Sequence, residues 1–140
     1  IVSMKDYPIT VRFPVHWGEM DALGHVNHTR YPVWMETARL MLFERIGLLA
    51  EGKSSLGPIL VNMNINYRAP VHFPAELICG TRISRIGNTS FTMEYVVAHA
   101  ESVDQIVADG TTVIVLYNYA DERTVPVPVE LKAAIEALKP

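Results

Sequence analysis

The sequence predicts an α+β fold, a five-stranded antiparallel sheet wrapped around one long central helix, with a short helix near the C-terminal end. Three observations carry this. The segment from Thr29 to about Ile46 has the most apolar helical pattern in the chain, so this helix must be covered on most sides. After it the periodicity changes to two, most clearly over Ile59–Arg68. Short turn signals then separate three further strand-like runs, as an antiparallel meander requires.

Taken in order, Tyr7–Val15 alternates the β-formers Ile9, Val11 and Phe13 with Thr10 and Arg12. Pro8 and Pro14 bracket this strand, which suits an exposed position because proline cannot donate to a ladder. A polar loop runs from His16 to His28. The long helix follows, with Asn27, His28 or Thr29 near its cap and Pro32 in the first turn, where amides lack an intrahelical partner. Tyr31, Trp34, Met35, Ala38, Met41, Leu42 and Ile46 form its apolar stripe, and Val33, Leu40 and Phe43 lie outside it. Gly47 stops the helix.

Ala50–Gly57 reads as a loop rich in Gly, Ser and Lys. In Ile59–Arg68, Val61, Met63, Ile65 and Tyr67 share one face and Asn62, Asn64 and Asn66 the other. This asparagine-lined strand is a candidate edge for pairing with a second subunit, as a homodimer or homotetramer. Strands Glu76–Ile86 and Ser90–Ala100 flank the hairpin signal Gly87-Asn88, and Glu101–Asp104 turns the chain into the strand Gln105–Tyr119. Val125–Pro128 breaks the sheet pattern, and Val129–Leu138 forms the terminal helix on Leu131, Ala134, Ile135 and Leu138.

Length and composition narrow the function classes. At 140 residues the chain suits one domain with its own core, and 49% hydrophobic with 19% charged residues is the balance of an ordered globular protein. The net charge is −3 and the 12 Lys and Arg are scattered, so no nucleic-acid partner is expected. Cys79 is the only cysteine, which excludes an internal disulfide and suits a reducing compartment. No apolar run reaches spanning length, and the opening Ile1-Val-Ser-Met-Lys5 lacks the layout of a signal peptide. The expectation is a cytoplasmic protein with no membrane association.

Chemistry concentrates in the loop. Asp21, His25, Asn27 and His28 lie within one short segment, with Gly18 and Gly24 on either side of Asp21 to let the backbone turn. On the bare residues, Asp21 is either a catalytic carboxylate or a turn aspartate, and Asn27 is better suited to capping than to catalysis. His25 and His28 with Glu19 or Asp21 would make a metal site, but the pair lacks the spacing of a zinc motif, so no metal and no cofactor are expected. Glu36 sits in an apolar helix, where it either orients the loop and activates water or pairs with Arg39 or Arg12. Trp34, Met35, Met63 and Phe91 are core by default rather than pocket lining. His72 and His99 have no evident partner.

Asp21-Ala-Leu-Gly24-His25-Val26-Asn27-His28 with Tyr31 and Glu36-Thr-Ala-Arg39, then Tyr67-Arg68-Ala-Pro70, resembles the hotdog-fold acyl-CoA thioesterases of the 4-hydroxybenzoyl-CoA thioesterase type. The resemblance runs from the first strand to the last. The Asp-x-x-Gly-His-Val-Asn segment at the head of a buried helix is specific, whereas Tyr-Arg-x-Pro alone is weak. It implies a thioester hydrolase in which the aspartate matching Asp21 acts as nucleophile or as general base for water. The position matching His28 lends its backbone N–H to the thioester oxygen, as suits a helix N-terminus. His28 also matches a histidine of some bacterial acyl-CoA thioesterases of this group.

Two departures refine the implication. The 4-hydroxybenzoyl-CoA enzymes carry proline where Ala22 stands, which speaks against that substrate. Plant acyl-carrier-protein thioesterases have a catalytic asparagine where this chain has Leu23. The implied substrate is an acyl-CoA, or the same acyl group on an acyl carrier protein, and a neighbouring subunit is expected to complete the pocket. His25, Asn27, Tyr31, Glu36, Arg68 and Arg85 are the candidate substrate-binding residues, with Arg82 a further candidate for CoA phosphates. The competing readings are a hotdog dehydratase or hydratase and a non-catalytic acyl-CoA-binding module.

Overall fold

A computed structural model describes residues 3–49, 55–138 and 140. Its elements are β1 (Ile9–Pro14), α1 (Arg30–Arg45), β2 (Leu56–Tyr67), β3 (Glu76–Ile86), β4 (Ser90–His99), β5 (Ser102–Asn118), β6 (Arg123–Thr124) and α2 (Val129–Ala137). The expected loop over Ala50–Gly57 lies mostly outside the described residues.

The antiparallel sheet has the order β1-β3-β4-β5-β2, so β3, β4 and β5 form the expected meander. β1 and β2, distant from the meander in different ways, close its two edges. A sixth strand corrects the expected count of five: β6 adds a short rung to the end of β5. β2 starts earlier than its alternation suggested, at Leu56, and tolerates Pro58 because, among the described residues, only β5 pairs with it. A register shift between Leu60 and Asn62 places a bulge at Val61. That bulge breaks the alternation, so Met63 and Ile65 are partly buried while Val61 is 56% exposed.

α1 lies against β1 and β3, over a core in which Met35, Ala38 and Leu42 are wholly covered. From β4, Phe91, Met93, Tyr95 and Val97 point to this side at alternate positions. The buried arc of the helix is rotated from the expected stripe: Phe43 and Arg39 are inside, and Met41 is 44% exposed. Gly47, at φ +79°, ends the helix in a Schellman motif, with Gly47 N donating to Glu44 O at 3.1 Å and Leu48 N to Phe43 O at 2.9 Å. α2 seats Leu131 and Ile135 on the same core. Among the described residues no helix is long and apolar enough to cross a membrane.

Candidate active site

Sequence folds the loop between β1 and α1 locally. A 3-10 turn at Trp17–Glu19 is closed by Glu19, whose side chain accepts from His16 N at 2.6 Å. Met20 and Val26 then pair as an isolated bridge, and Asp21 N donates to His25 O at 2.7 Å. Between them the chain reverses through Gly24 at φ +80°, a conformation costly for any residue with a side chain. The carboxylate completes the turn: Asp21 Oδ1 accepts from Leu23 N at 2.9 Å and from His25 N at 3.1 Å. Asp21 Oδ2 accepts from no described residue.

The helix head follows. Thr29 already has helical backbone angles, and Asn27 is the functional cap, its Oδ1 accepting from Thr29 N at 3.0 Å and Thr29 Oγ1 at 2.8 Å. Asn27 N donates to Glu19 O at 2.8 Å, tying the cap to the 3-10 turn. No described residue accepts from the His28 N–H. Tyr67, at the end of β2, donates its hydroxyl to His28 O at 3.1 Å and packs edge-on to His28 and Tyr31.

Asp21, His25, His28, Tyr31, Tyr67 and Arg68 line one open pocket of about 260 Å³ with Val26, Ala69 and Pro70. The His25 amide draws the Asp21 carboxyl below its usual range, against a desolvation effect, and the Leu23 amide and the His25 and His28 charges add to the lowering. Burial pushes the Tyr31 phenol up to about 12 and raises Tyr67 as well, so both rings stay neutral donors. Cys79, buried under the helix, is likewise pushed up to about 12 by desolvation and is a packing residue.

Of the expected site residues, Asp21, His25, His28, Tyr31 and Arg68 come together here. Arg68 forks onto Asp109, with Nε to Oδ2 at 2.9 Å and Nη2 to Oδ1 at 3.2 Å, and so sits fixed at the rim. Three do not join them. Asn27 is absorbed by capping. Glu36 is exposed outside the pocket and pairs with Arg39 at 3.8 Å. Arg85 lines a different groove, with Lys132 and Ile135 of α2, because the loop lies at the Glu76 end of β3 and Arg85 is roughly 30 Å along the strand. Arg82 pairs with Glu94 at 2.8 Å and lies over the Tyr7 ring, also away from the loop.

Two residues of the site carried no assigned role in the sequence reading. Tyr67 ends an alternating strand and opens the Tyr67-Arg68-Ala-Pro70 motif, neither of which gives its side chain a role. His72, in the connector between β2 and β3, places Nδ1 3.1 Å from Gly24 O and its ring edge-on to His25. Nothing in its spacing could announce this contact. Among the described residues no group of three or more His, Cys, Asp and Glu side chains is placed to hold a metal ion.

A sheet curled over one helix, with a polar turn at the helix head, defines the hotdog class. The chain belongs to the thioesterase-like superfamily, which it matches over residues 15–135. It is 38% identical over 72 residues to YneP of Bacillus subtilis (strain 168), provisionally named an acyl-CoA thioesterase, covering 49% of this chain and 51% of that one. The chain thus spans about half the length of that relative. It is 25% identical over 120 residues to the long-chain acyl-CoA thioesterase FadM of Escherichia coli (strain K12), covering 85% of this chain and 90% of that one. A Thermus thermophilus thioesterase crystallised with coenzyme A and Zn superposes with a TM-score of 0.82 at 30% identity, covering 96% of each chain.

Proposed function

We propose that the protein hydrolyses an acyl-CoA thioester to the free acid and CoA, at the pocket formed by the β1–α1 loop and the end of β2. One observation carries the reading: Asp21, whose Oδ2 accepts from no described residue, and His28, whose N–H donates to none, line the same pocket at the head of α1. The thioester oxygen accepts from His28 N–H, where the helix dipole favours the negative charge that develops there. Asp21 either takes a proton from a water molecule that attacks the carbonyl carbon, or attacks that carbon itself to form a mixed anhydride, which water then hydrolyses to release the acid and restore the carboxylate. In both cases the C–S bond breaks and the CoA thiolate leaves, to be protonated by solvent. Such groups suit thioester hydrolysis because a thiolate departs readily, so an oxyanion donor and one carboxylate are enough.

The names of YneP and FadM and the coenzyme A in the Thermus structure support an acyl-CoA substrate. Arg68 at the rim is the candidate phosphate contact, and His25 and Tyr31 shape the acyl entrance. The shared core of the described elements supports a single domain. Among the described residues β2 pairs only with β5, and its exposed Leu60 and Val61, together with the exposed Val33 and Leu40 of α1, support a homo-oligomer in which the neighbouring subunit covers the open side of the pocket.

The test is thiol release from a panel of acyl-CoAs and acyl carrier proteins by wild type and Asp21→Ala. A loss of about a thousandfold or more in kcat is expected for the variant. Equal rates would remove Asp21 from the reaction, and enoyl hydration without thiol release would favour the hydratase reading. A single turnover in ¹⁸O water that leaves label in the protein carboxylate would identify the nucleophilic route, with water attacking the Asp21 carbonyl of the anhydride.

A further inference from the structure

The pocket's carboxylate is held by a turn, and the turn is held from outside. Gly24 C=O and His25 N–H belong to one planar peptide. Its N–H donates to Asp21 Oδ1 at 3.1 Å, and its C=O lies 3.1 Å from His72 Nδ1. A carbonyl oxygen only accepts, so the His72 ring carries its proton on Nδ1 and donates. The side chain of His72 therefore fixes the orientation of the same peptide that fixes Asp21. The two bonds are in series, and donation into the C=O strengthens donation from the N–H by polarising the amide.

We propose that His72 is a positioning residue for Asp21, acting through the Gly24–His25 peptide. This rests on the assignment of Asp21 to the reaction. The connector is built to hold His72 in place. Val71, immediately before it, accepts from Val26 N at 2.9 Å, and Phe73, immediately after it, meets Trp17 edge-on at 5.7 Å. The His72 and His25 rings also meet edge-on, with centroids 4.8 Å apart. Three successive connector residues thus touch the loop on both flanks of Gly24, the residue whose φ of +80° leaves the turn in greatest need of support.

The titratable groups around this arrangement are known from both sides. Asp21 faces His25 and His28 from its own segment, and Arg68 and Tyr67 from the end of β2. On its outer side His72 shares a groove with Glu76, His99 and Glu101. His72 donates from Nδ1 whether the ring is neutral or charged, so the contact does not depend on the charge of the ring.

Two variants separate donation from bulk. His72→Ala removes the donor, and His72→Asn returns an N–H close to the Nδ1 position. In the oligomer as isolated, with aspartate labelled at the carboxyl carbon, the Asp21 titration midpoint is read by NMR, beside kcat, KM and the acid limb of the rate. His72→Ala is expected to move the Asp21 midpoint and the acid limb upward together. It should lower kcat about fivefold to tenfold, the size of one hydrogen bond, with KM changed less than about twofold. His72→Asn is expected to restore all three readouts.

An unchanged Asp21 midpoint in His72→Ala overturns the proposal, and so does His72→Asn behaving like His72→Ala, which would assign the effect to ring packing on His25. Failure of the underlying reading has a different signature. In that case Asp21→Ala keeps full activity, while the Asp21 midpoint still reports whether His72 acts on the carboxylate.

Discussion

Gly110→Ala tests how tightly the site depends on the edge of the sheet. Gly110 lies in the middle of β5, opposite Ile65 of β2 on one side and Tyr95 of β4 on the other. A Cβ at this position collides with Asn64 O and stands 3.4 Å from Ile65 Cα. Both obstacles are backbone, so no side-chain rotation relieves them and β2 has to move off β5. Overpacking costs about 1–3 kcal/mol, and a backbone obstacle belongs in the upper half of that range. Alanine regains roughly 0.5 kcal/mol of the conformational entropy that glycine loses in a strand, which leaves about 2 kcal/mol of net destabilisation. For a chain of this size that is a fall of about 6–10 °C in the melting temperature.

The same displacement reaches the pocket. Tyr67 follows Ile65 by two positions on β2, and its hydroxyl meets His28 O at 3.1 Å. A shift of β2 by a few tenths of an ångström weakens that bond, so kcat is expected to fall about threefold to tenfold at a temperature where the variant is folded. Gly18→Ala is the control, because a Cβ there meets nothing within 4 Å and the backbone needs no positive φ. Melts by circular dichroism and acyl-CoA hydrolysis read both effects. A Gly110→Ala melting point within about 2 °C of the wild type would refute the reasoning.

Further expectations follow from single contacts. Gly24→Ala adds no clash, so its effect is backbone strain alone at φ +80°, about 1–2 kcal/mol, seen as a lower melting point and weaker hydrolysis; an unchanged melt would show that the turn relaxes. Asp21 has a lowered carboxyl pKa, so it stays ionised as pH falls until the folded value is passed, and protonation of His25 and His28 deepens the lowering. The acid limb of kcat/KM therefore belongs below the ordinary aspartate value of about 3.9, and a limb above pH 5 in protein that is still folded would contradict the assignment. Lysines at Leu60 and Val61 place charge on the exposed edge of β2, and light scattering is expected to show smaller species with reduced activity.

What could be read in the sequence was what local forces decide. The strand-like runs Glu76–Ile86 and Ser90–Ala100 with the turn signal between them, the apolar spacing of α1 and the stop at Gly47 each depend on neighbours within a few residues, and the structure has them almost where they were expected. The loop was legible for the same reason, because Asp21, Gly24 and the His25 amide make their turn among themselves. Strand order was not, since β2 crosses to the far edge beside β5 only through long-range pairing. The bulge at Val61 hid behind a clean alternation, which predicts faces only while the register holds. Arg68 looked like a free cation until β5 brought Asp109 to it. His72 is the extreme case, since its contact with Gly24 spans 48 residues of chain.

Arg39 explains how the head of α1 keeps its aim. The helix is apolar over so much of its circumference that hydrophobic burial alone discriminates poorly between rotations about its axis. Arg39 is 8% exposed and faces the sheet, where Nη1 donates to Tyr95 Oη at 3.3 Å. Tyr95 Oη also meets Thr112 Oγ1 at 2.7 Å, and Glu36 lies 3.8 Å from the guanidinium at the solvent edge. A slip of one residue turns the helix by about 100° and carries Arg39 off these partners. Leaving a buried charge without partners costs about 3–5 kcal/mol, far more than a repacked leucine would. The polar contact therefore selects one rotation out of several that the apolar surface would accept. At that rotation His28 lines the pocket that Asp21 shares, and Tyr31 turns inward against Tyr67. A residue more than two turns from the proposed site thus holds the helix head in place, through a polar contact that the apolar arc of the helix cannot replace.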